Sequence, residues 1–154
     1  MYKRILVPLD GSKEAEYALP HVKTAATGYT PPARVILFSA IEPFLGVDVD
    51  ATWSKEYDKF ENKFEQSATQ HINTASEILR KEGLDVDEVI IDKLGGKDVA
   101  DEILKYTDNE DVDLIIMTTH GRTGIKRWAF GSVTDKVVRH SKVPVLVVPP
   151  HGYR

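Results

Sequence analysis

Thr118-Thr119-His120-Gly121-Arg122-Thr123-Gly124-Ile125-Lys126-Arg127-Trp128-Ala129-Phe130-Gly131-Ser132-Val133-Thr134 is the stretch around which the chain is organised. It follows an apolar run, Leu114-Ile115-Ile116-Met117, of the kind found in a strand covered on both faces. It carries glycines at 121, 124 and 131 and cations at Arg122, Lys126 and Arg127, and Gly131-Ser132 opens an amphipathic helix. A strand, a glycine-bearing loop and a helix start together form a place where backbone N–H groups converge on an anion. The stretch therefore reads as the phosphate-binding part of a nucleotide site.

The same strand-then-helix grammar extends outward in both directions. Ile5–Leu9 is a continuous apolar run broken by the turn residues Asp10-Gly11-Ser12. Ser12 can cap a helix whose apolar stripe is Ala15, Ala18, Leu19, Val22, Ala25 and Ala26, with Pro20 kinking or dividing it and Gly28 near its end. A second strand is expected over Val35–Ile41, and a loop with Gly46, Asp48 and Asp50 over Pro43–Thr52. A long helix then runs from about Ser54 to Glu82, stopped by Gly83. Val86–Asp92 is rich in β-branched residues and reads as a third strand. Asp98 caps a short helix with Val99, Ala100, Ile103 and Leu104 inward. Asp113–Thr118, Ser132–His140 and Val143–Val148 complete the pattern as strand, helix and strand.

Alternating strands and helices predict an α/β fold: an open, doubly wound, five-stranded parallel sheet with helices on both faces. Ligands bind such sheets beyond the carboxyl ends of the strands, where the strand order reverses. With the order 3-2-1-4-5, the Asp10-Gly11-Ser12 loop and the Thr118–Ser132 loop face one crevice. One domain is expected over residues 1–154.

Each candidate residue has a structural reading beside the functional one. Ser132 and Asp135 have the spacing of a reciprocal capping box, and the N–H groups of the same turn can bind phosphate. Asp10, at the end of a central strand, either accepts from ligand hydroxyls or bonds its own turn. His120 either packs or acts as an acid–base group. Arg122, Lys126 and Arg127 either screen a phosphate tail or lie in solvent. No G-x-x-x-x-G-K-[ST], G-x-G-x-x-G, G-x-S-x-G or H-E-x-x-H motif occurs, and the five histidines lack metal-ligand spacing.

A net charge of −4 gives no basic surface for nucleic acid and no polybasic patch for a membrane. With no cysteine there are no disulfides and no thiolate chemistry. The start of the chain lacks the features of a signal peptide, and no apolar run nears the ~18 residues that span a bilayer. A cytoplasmic location is expected.

The chain resembles the universal stress protein family. The resemblance is carried by Ile5-Leu6-Val7-Pro8-Leu9-Asp10-Gly11-Ser12, by Thr119-His120-Gly121-Arg122 with Gly131-Ser132, and by Val143-Pro144-Val145-Leu146-Val147-Val148. The family's ATP-binding branch carries G-x-x-G, nine residues, then G-[ST]. Gly121, the nine residues 122–130 and Gly131-Ser132 match, whereas Thr118 stands at the first glycine and adds bulk there. The resemblance implies an adenine nucleotide alpha hydrolase-like fold and a cytoplasmic stress-response regulator that binds ATP (or ADP or AMP) and is at most a weak ATPase. By the same resemblance Pro8 and Asp10 touch adenine and ribose, and Ala40 or Ile41 offers backbone to the adenine. Thr118, Gly121, Arg122, Gly131, Ser132, Val133 and Thr134 surround the phosphates, with Mg²⁺ held through them. No catalytic base and no metal-ligating side chain is assigned. A homodimer is implied through the edge strand Val143–Val148. Two rivals stand beside this reading: a dimeric interaction module of the same fold that binds no nucleotide, favoured by Thr118, and an adenylating enzyme, for which a second substrate domain would not fit into 154 residues.

Overall fold

The computed structural model describes residues 2–28, 30–40, 54–91, 98–119 and 131–149, with side chains throughout except over 54–64. Five strands, β1 (Arg4–Pro8), β2 (Arg34–Ala40), β3 (Val86–Ile91), β4 (Leu114–Thr118) and β5 (Val145–Val148), form one sheet in the order β3-β2-β1-β4-β5. Every pairing is parallel. This is the expected order, and it puts β1 and β4 side by side at its reversal. Their register sets Ile5 opposite Leu114 and Leu6 opposite Ile115.

The period-2 alternation of the central strands divides the core into two layers. Ile5 and Val7 of β1, Val35 and Leu37 of β2, and Leu114 and Ile116 of β4 face one side. There they meet Leu19, Val22 and Ala26 of α1 (Leu19–Thr27) and Ile72, Ala75 and Leu79 of α2 (Ser54–Lys81). Leu6, Ile36, Phe38, Ile115 and Met117 face the other side, against Ala100 and Ile103 of α3 (Val99–Asn109) and Val137 of α4 (Ser132–His140). Each buried aliphatic side chain stabilises the fold by roughly 2 kcal/mol, so both sheet faces contribute.

Local chemistry sets the helix ends. Pro20 divides the first helical segment: a 3₁₀ turn over Ala15–Ala18 passes into α1, where Pro20 sits in the first turn and needs no hydrogen-bond partner. The turn after α2 has Gly83 at φ 81°, with the Leu84 N–H donating to Leu79 O at 3.2 Å and the Gly83 N–H to Arg80 O at 2.9 Å. That pair of bonds closes the last carbonyls, and a glycine takes this conformation at little cost. Asp98 caps α3 by accepting the Ala100 N–H on Oδ1 at 2.7 Å. α2 ends one residue short of the expected limit, β4 begins one residue late and β5 two, and the expected last residues of β2 and β3, Ile41 and Asp92, lie outside the described residues. Ile41, the Pro43–Thr52 loop, His120, Gly121 and Arg122 lie outside the described residues.

Candidate functional site

Beyond the carboxyl ends of β1, β2 and β4 the structure holds a cleft of about 300 Å³. Its apolar part is lined by Pro8, Leu9, Phe38, Val99, Ile103 and Met117. Its polar part is lined by Asp10 on one side and by Thr118, Gly131, Ser132, Val133 and Thr134 on the other. Ala40 also reaches it, from the end of β2. Every expected site residue within the described part of the chain therefore lies on this one cleft. The side chains that sequence reasoning did not assign to it are Leu9, Ala15, Phe38, Val99, Ile103 and Met117. Val99 and Ile103 were expected to face inward, and their spacing of four does place them on one helix face. That the core opens at that face depends on how α3 meets the strand ends.

On the β1 side, the Leu9 N–H donates to Phe38 O at 2.8 Å, which extends the strand pairing to the lip of the cleft. The chain then reverses through Gly11 at φ 77°, a backbone conformation that L side chains rarely adopt. The reversal brings Ser12 back onto Asp10. The Ser12 N–H donates to Asp10 Oδ1 at 2.9 Å, and its hydroxyl donates to the same oxygen at 2.5 Å. Ser12 Oγ in turn accepts the Ala15 N–H at 3.1 Å, whereas the cap positions of the 3₁₀ turn and of α1 fall on Glu14 and Ala18, neither with a side-chain cap bond.

On the β4 side, two bonds tie the start of α4 to the end of the strand. The Gly131 N–H donates to Thr119 O at 2.8 Å, and the buried Thr134 hydroxyl donates to Thr118 O at 2.9 Å. The first intrahelical bond is from the Asp135 N–H to Gly131 O at 2.9 Å. The N–H groups of Ser132, Val133 and Thr134 precede it and have no carbonyl of their own helix to meet. They are the donors the cleft offers to an anion, and the helix dipole adds to their effect. The Gly131 N–H is already committed to Thr119. The Thr134 hydroxyl is committed to Thr118, so its backbone N–H is the donor this residue could offer there.

The expected capping box does not form. Gly131 occupies the cap position with no side-chain cap, and Ser132 is the first helical residue. Asp135 turns instead to Arg139, whose Nε lies 2.9 Å and 3.0 Å from its two oxygens. An arginine one turn later in the helix provides a charged partner that the Ser132 backbone does not.

The two helices beside the cleft are joined by Lys136 of α4, whose Nζ lies 2.7 Å from Asp101 and 3.4 Å from Asp98 of the α3 start. The hydrogen bond to Asp101 raises the Lys136 pKa above its ordinary value. Among the described residues no group of three or more His, Cys, Asp or Glu side chains could hold a metal ion, and Asp10 is the cleft's single carboxylate.

The sequence model of the universal stress protein family matches residues 1–149. Universal stress protein MJ0577 of Methanocaldococcus jannaschii is 37% identical, over 96% of this chain and 95% of that protein. The chain belongs to the universal stress protein family. The solved structure of MJ0577 superposes with a TM-score of 0.79 at 34% identity, covering 99% of both chains. The sheet order and flanking helices are those of the adenine nucleotide alpha hydrolase-like fold. Two more distant family structures share the fold. One is the Archaeoglobus fulgidus universal stress protein in complex with dAMP (TM-score 0.66, 23% identity, 95% of this chain and 97% of that one). The other is a family protein from Arabidopsis thaliana with AMP bound (TM-score 0.66, 11% identity, 97% of this chain and 93% of that one).

Proposed function

We propose that this universal stress protein binds an adenine nucleotide, ATP foremost, and acts in the cytoplasm as a nucleotide-dependent stress-response regulator. The observation that carries the reading is one cleft with three kinds of wall. Its apolar floor suits a base, the Asp10 carboxylate suits sugar hydroxyls, and the N–H groups of Ser132, Val133 and Thr134 suit phosphates. The adenylates bound by the two distant family structures support the same class of ligand. Ile41, Gly121 and Arg122 belong to the same proposed contact set. With Asp10 the one carboxylate that lines the cleft among the described residues, the cleft fits a Mg²⁺ ion held by phosphates and water, as that ion prefers. Slow ATP hydrolysis at most is part of the proposal.

Homodimerisation through β5 is part of the proposal. β5 is an edge strand, and its Leu146 is 40% exposed, so strand pairing with a second copy would cover both the open backbone and an apolar side chain. Thr118 is the observation behind a second reading, an interaction module without nucleotide. It is a buried, branched residue on the cleft wall where the family's ATP-binding branch has glycine. Titration calorimetry with ATP, ADP and AMP separates the two. Saturable binding of any of them supports the first reading, and no heat with all three supports the second.

A further inference from the structure

We propose that Ser12 is a positioning residue: it holds the Asp10 carboxylate in the orientation that reads the hydroxyls of the ligand's sugar. The proposal rests on the nucleotide reading given above and adds a determinant of specificity to it. Ser12 makes two bonds to one oxygen of Asp10, from its N–H at 2.9 Å and its hydroxyl at 2.5 Å. A hydroxyl has a single proton to give. Because Ser12 Oγ also accepts the Ala15 N–H at 3.1 Å, that bond orients the hydroxyl and leaves its proton for Asp10. Ala15 is buried in the core layer on the α1 and α2 side. The carboxylate at the cleft is thus anchored to the core through two linked hydrogen bonds, and the positive φ of Gly11 is what lets the chain close this arrangement.

A carboxylate accepts hydrogen bonds only, so toward a ligand it selects hydroxyl donors. Its selectivity depends on being held in place before the ligand arrives, since a mobile side chain must be ordered on binding. Ser12 supplies that order without lining the cleft itself.

The test compares ATP with 2′,3′-dideoxy-ATP by titration calorimetry. The native protein is expected to prefer ATP by about tenfold or more, the size of a lost hydrogen bond to a charged group. Ser12→Ala is expected to bring that ratio down to about two, mostly by weakening ATP, while Ser12→Thr keeps it because the hydroxyl remains. In an Asp10→Asn background, Ser12→Ala should change the ratio by less than about twofold, because the two residues act as one unit. Should Ser12→Ala not fold, Ser12→Cys, of similar size and with a weak donor, reports the same ratio.

Equal weakening of both nucleotides by Ser12→Ala, with the ratio intact, would overturn the proposal and leave Ser12 a loop-forming residue. An unchanged affinity for both would overturn it as well. A native protein that binds ATP without discriminating against the dideoxy form would overturn it while leaving the nucleotide site in place. A native protein that binds neither would overturn the nucleotide reading and this inference together.

Discussion

Thr134 donates its buried hydroxyl to the backbone oxygen of Thr118 at 2.9 Å, fastening the first turn of α4 to the end of β4. The phosphate-binding reading depends on this bond, because it fixes where the free N–H groups of that turn point. Thr134→Val keeps the shape and removes the donor that fastens the turn to the Thr118 carbonyl. The change should cost about 1–2 kcal/mol of stability and lower ATP affinity several-fold. Urea unfolding and calorimetry on the same variant measure both. A stable variant with native affinity would show that the fastening is not needed.

Gly131 adopts φ −57°, open to any residue, so glycine serves here for room and not for conformation. A Cβ at this position would lie 3.3 Å from Thr119 O, the acceptor of the Gly131 N–H. Gly131→Val should therefore press the strand end and helix start apart, costing about 1–2 kcal/mol of stability and weakening ATP tenfold or more. Native affinity in calorimetry would remove this turn from the phosphate site.

At the edge of the sheet, Leu146 is exposed while Val145 packs against the α3 and α4 core. Charge placed at 145 would damage the fold as well as any interface, so Leu146→Asp is the cleaner probe. Sedimentation velocity should show a dimer for the native protein and a monomer for the variant, with the melting temperature of the dilute protein changed little. A dimer that survives Leu146→Asp would place the contact away from β5.

Ser76 of α2 is fully buried, and among the described residues its hydroxyl finds no hydrogen-bond partner. Ser76→Ala removes a desolvated polar group and leaves the surrounding packing in place. It should raise stability by about 0.5–1 kcal/mol. A lower unfolding midpoint in urea would mean that the hydroxyl is satisfied in solution.

Tyr106 of α3 packs against Phe38 with ring centroids 5.4 Å apart, and burial, followed by the nearby Glu110 carboxylate, raises its pKa above the ordinary 10.0. A raised folded-state value means stability that is fully present below pH 10 and lost as pH climbs through the folded value. Urea midpoints should therefore fall above pH 10, and Tyr106→Phe should lessen that fall. An identical alkaline slope in both proteins would assign the loss to other groups.

Much of this protein can be read directly from its residues. The apolar runs Ile5–Leu9 and Leu114–Met117, the breaks at Gly28 and Gly83 and the cap at Asp98 announce a parallel α/β sheet. They do so because strand, turn and helix chemistry act over a few residues, through backbone conformation and side-chain periodicity. The family resemblance named Pro8, Asp10, Ala40, Thr118 and Gly131–Thr134, and all of these meet at one cleft. Ser132 and Asp135 have the spacing of a capping box, but the cap position falls on Gly131, and Asp135 pairs with Arg139. Gly131 and Thr134, reaching back to Thr119 and Thr118, fasten the first turn of α4 beside the cleft. The bonds from Ser12 to Asp10 are turn chemistry within two residues, the structural reading of Asp10 in the sequence, while burial of Ala15 in the core is what ties that turn to the tertiary structure. The apolar floor from Phe38, Ile103 and Met117 exists because β2, β4 and α3, distant in sequence, converge at one end of the sheet. Local propensity thus determined the elements and their order, while the hydrogen bonds and packing between elements decided which groups the cleft presents, because those depend on atoms that only the folded chain brings together.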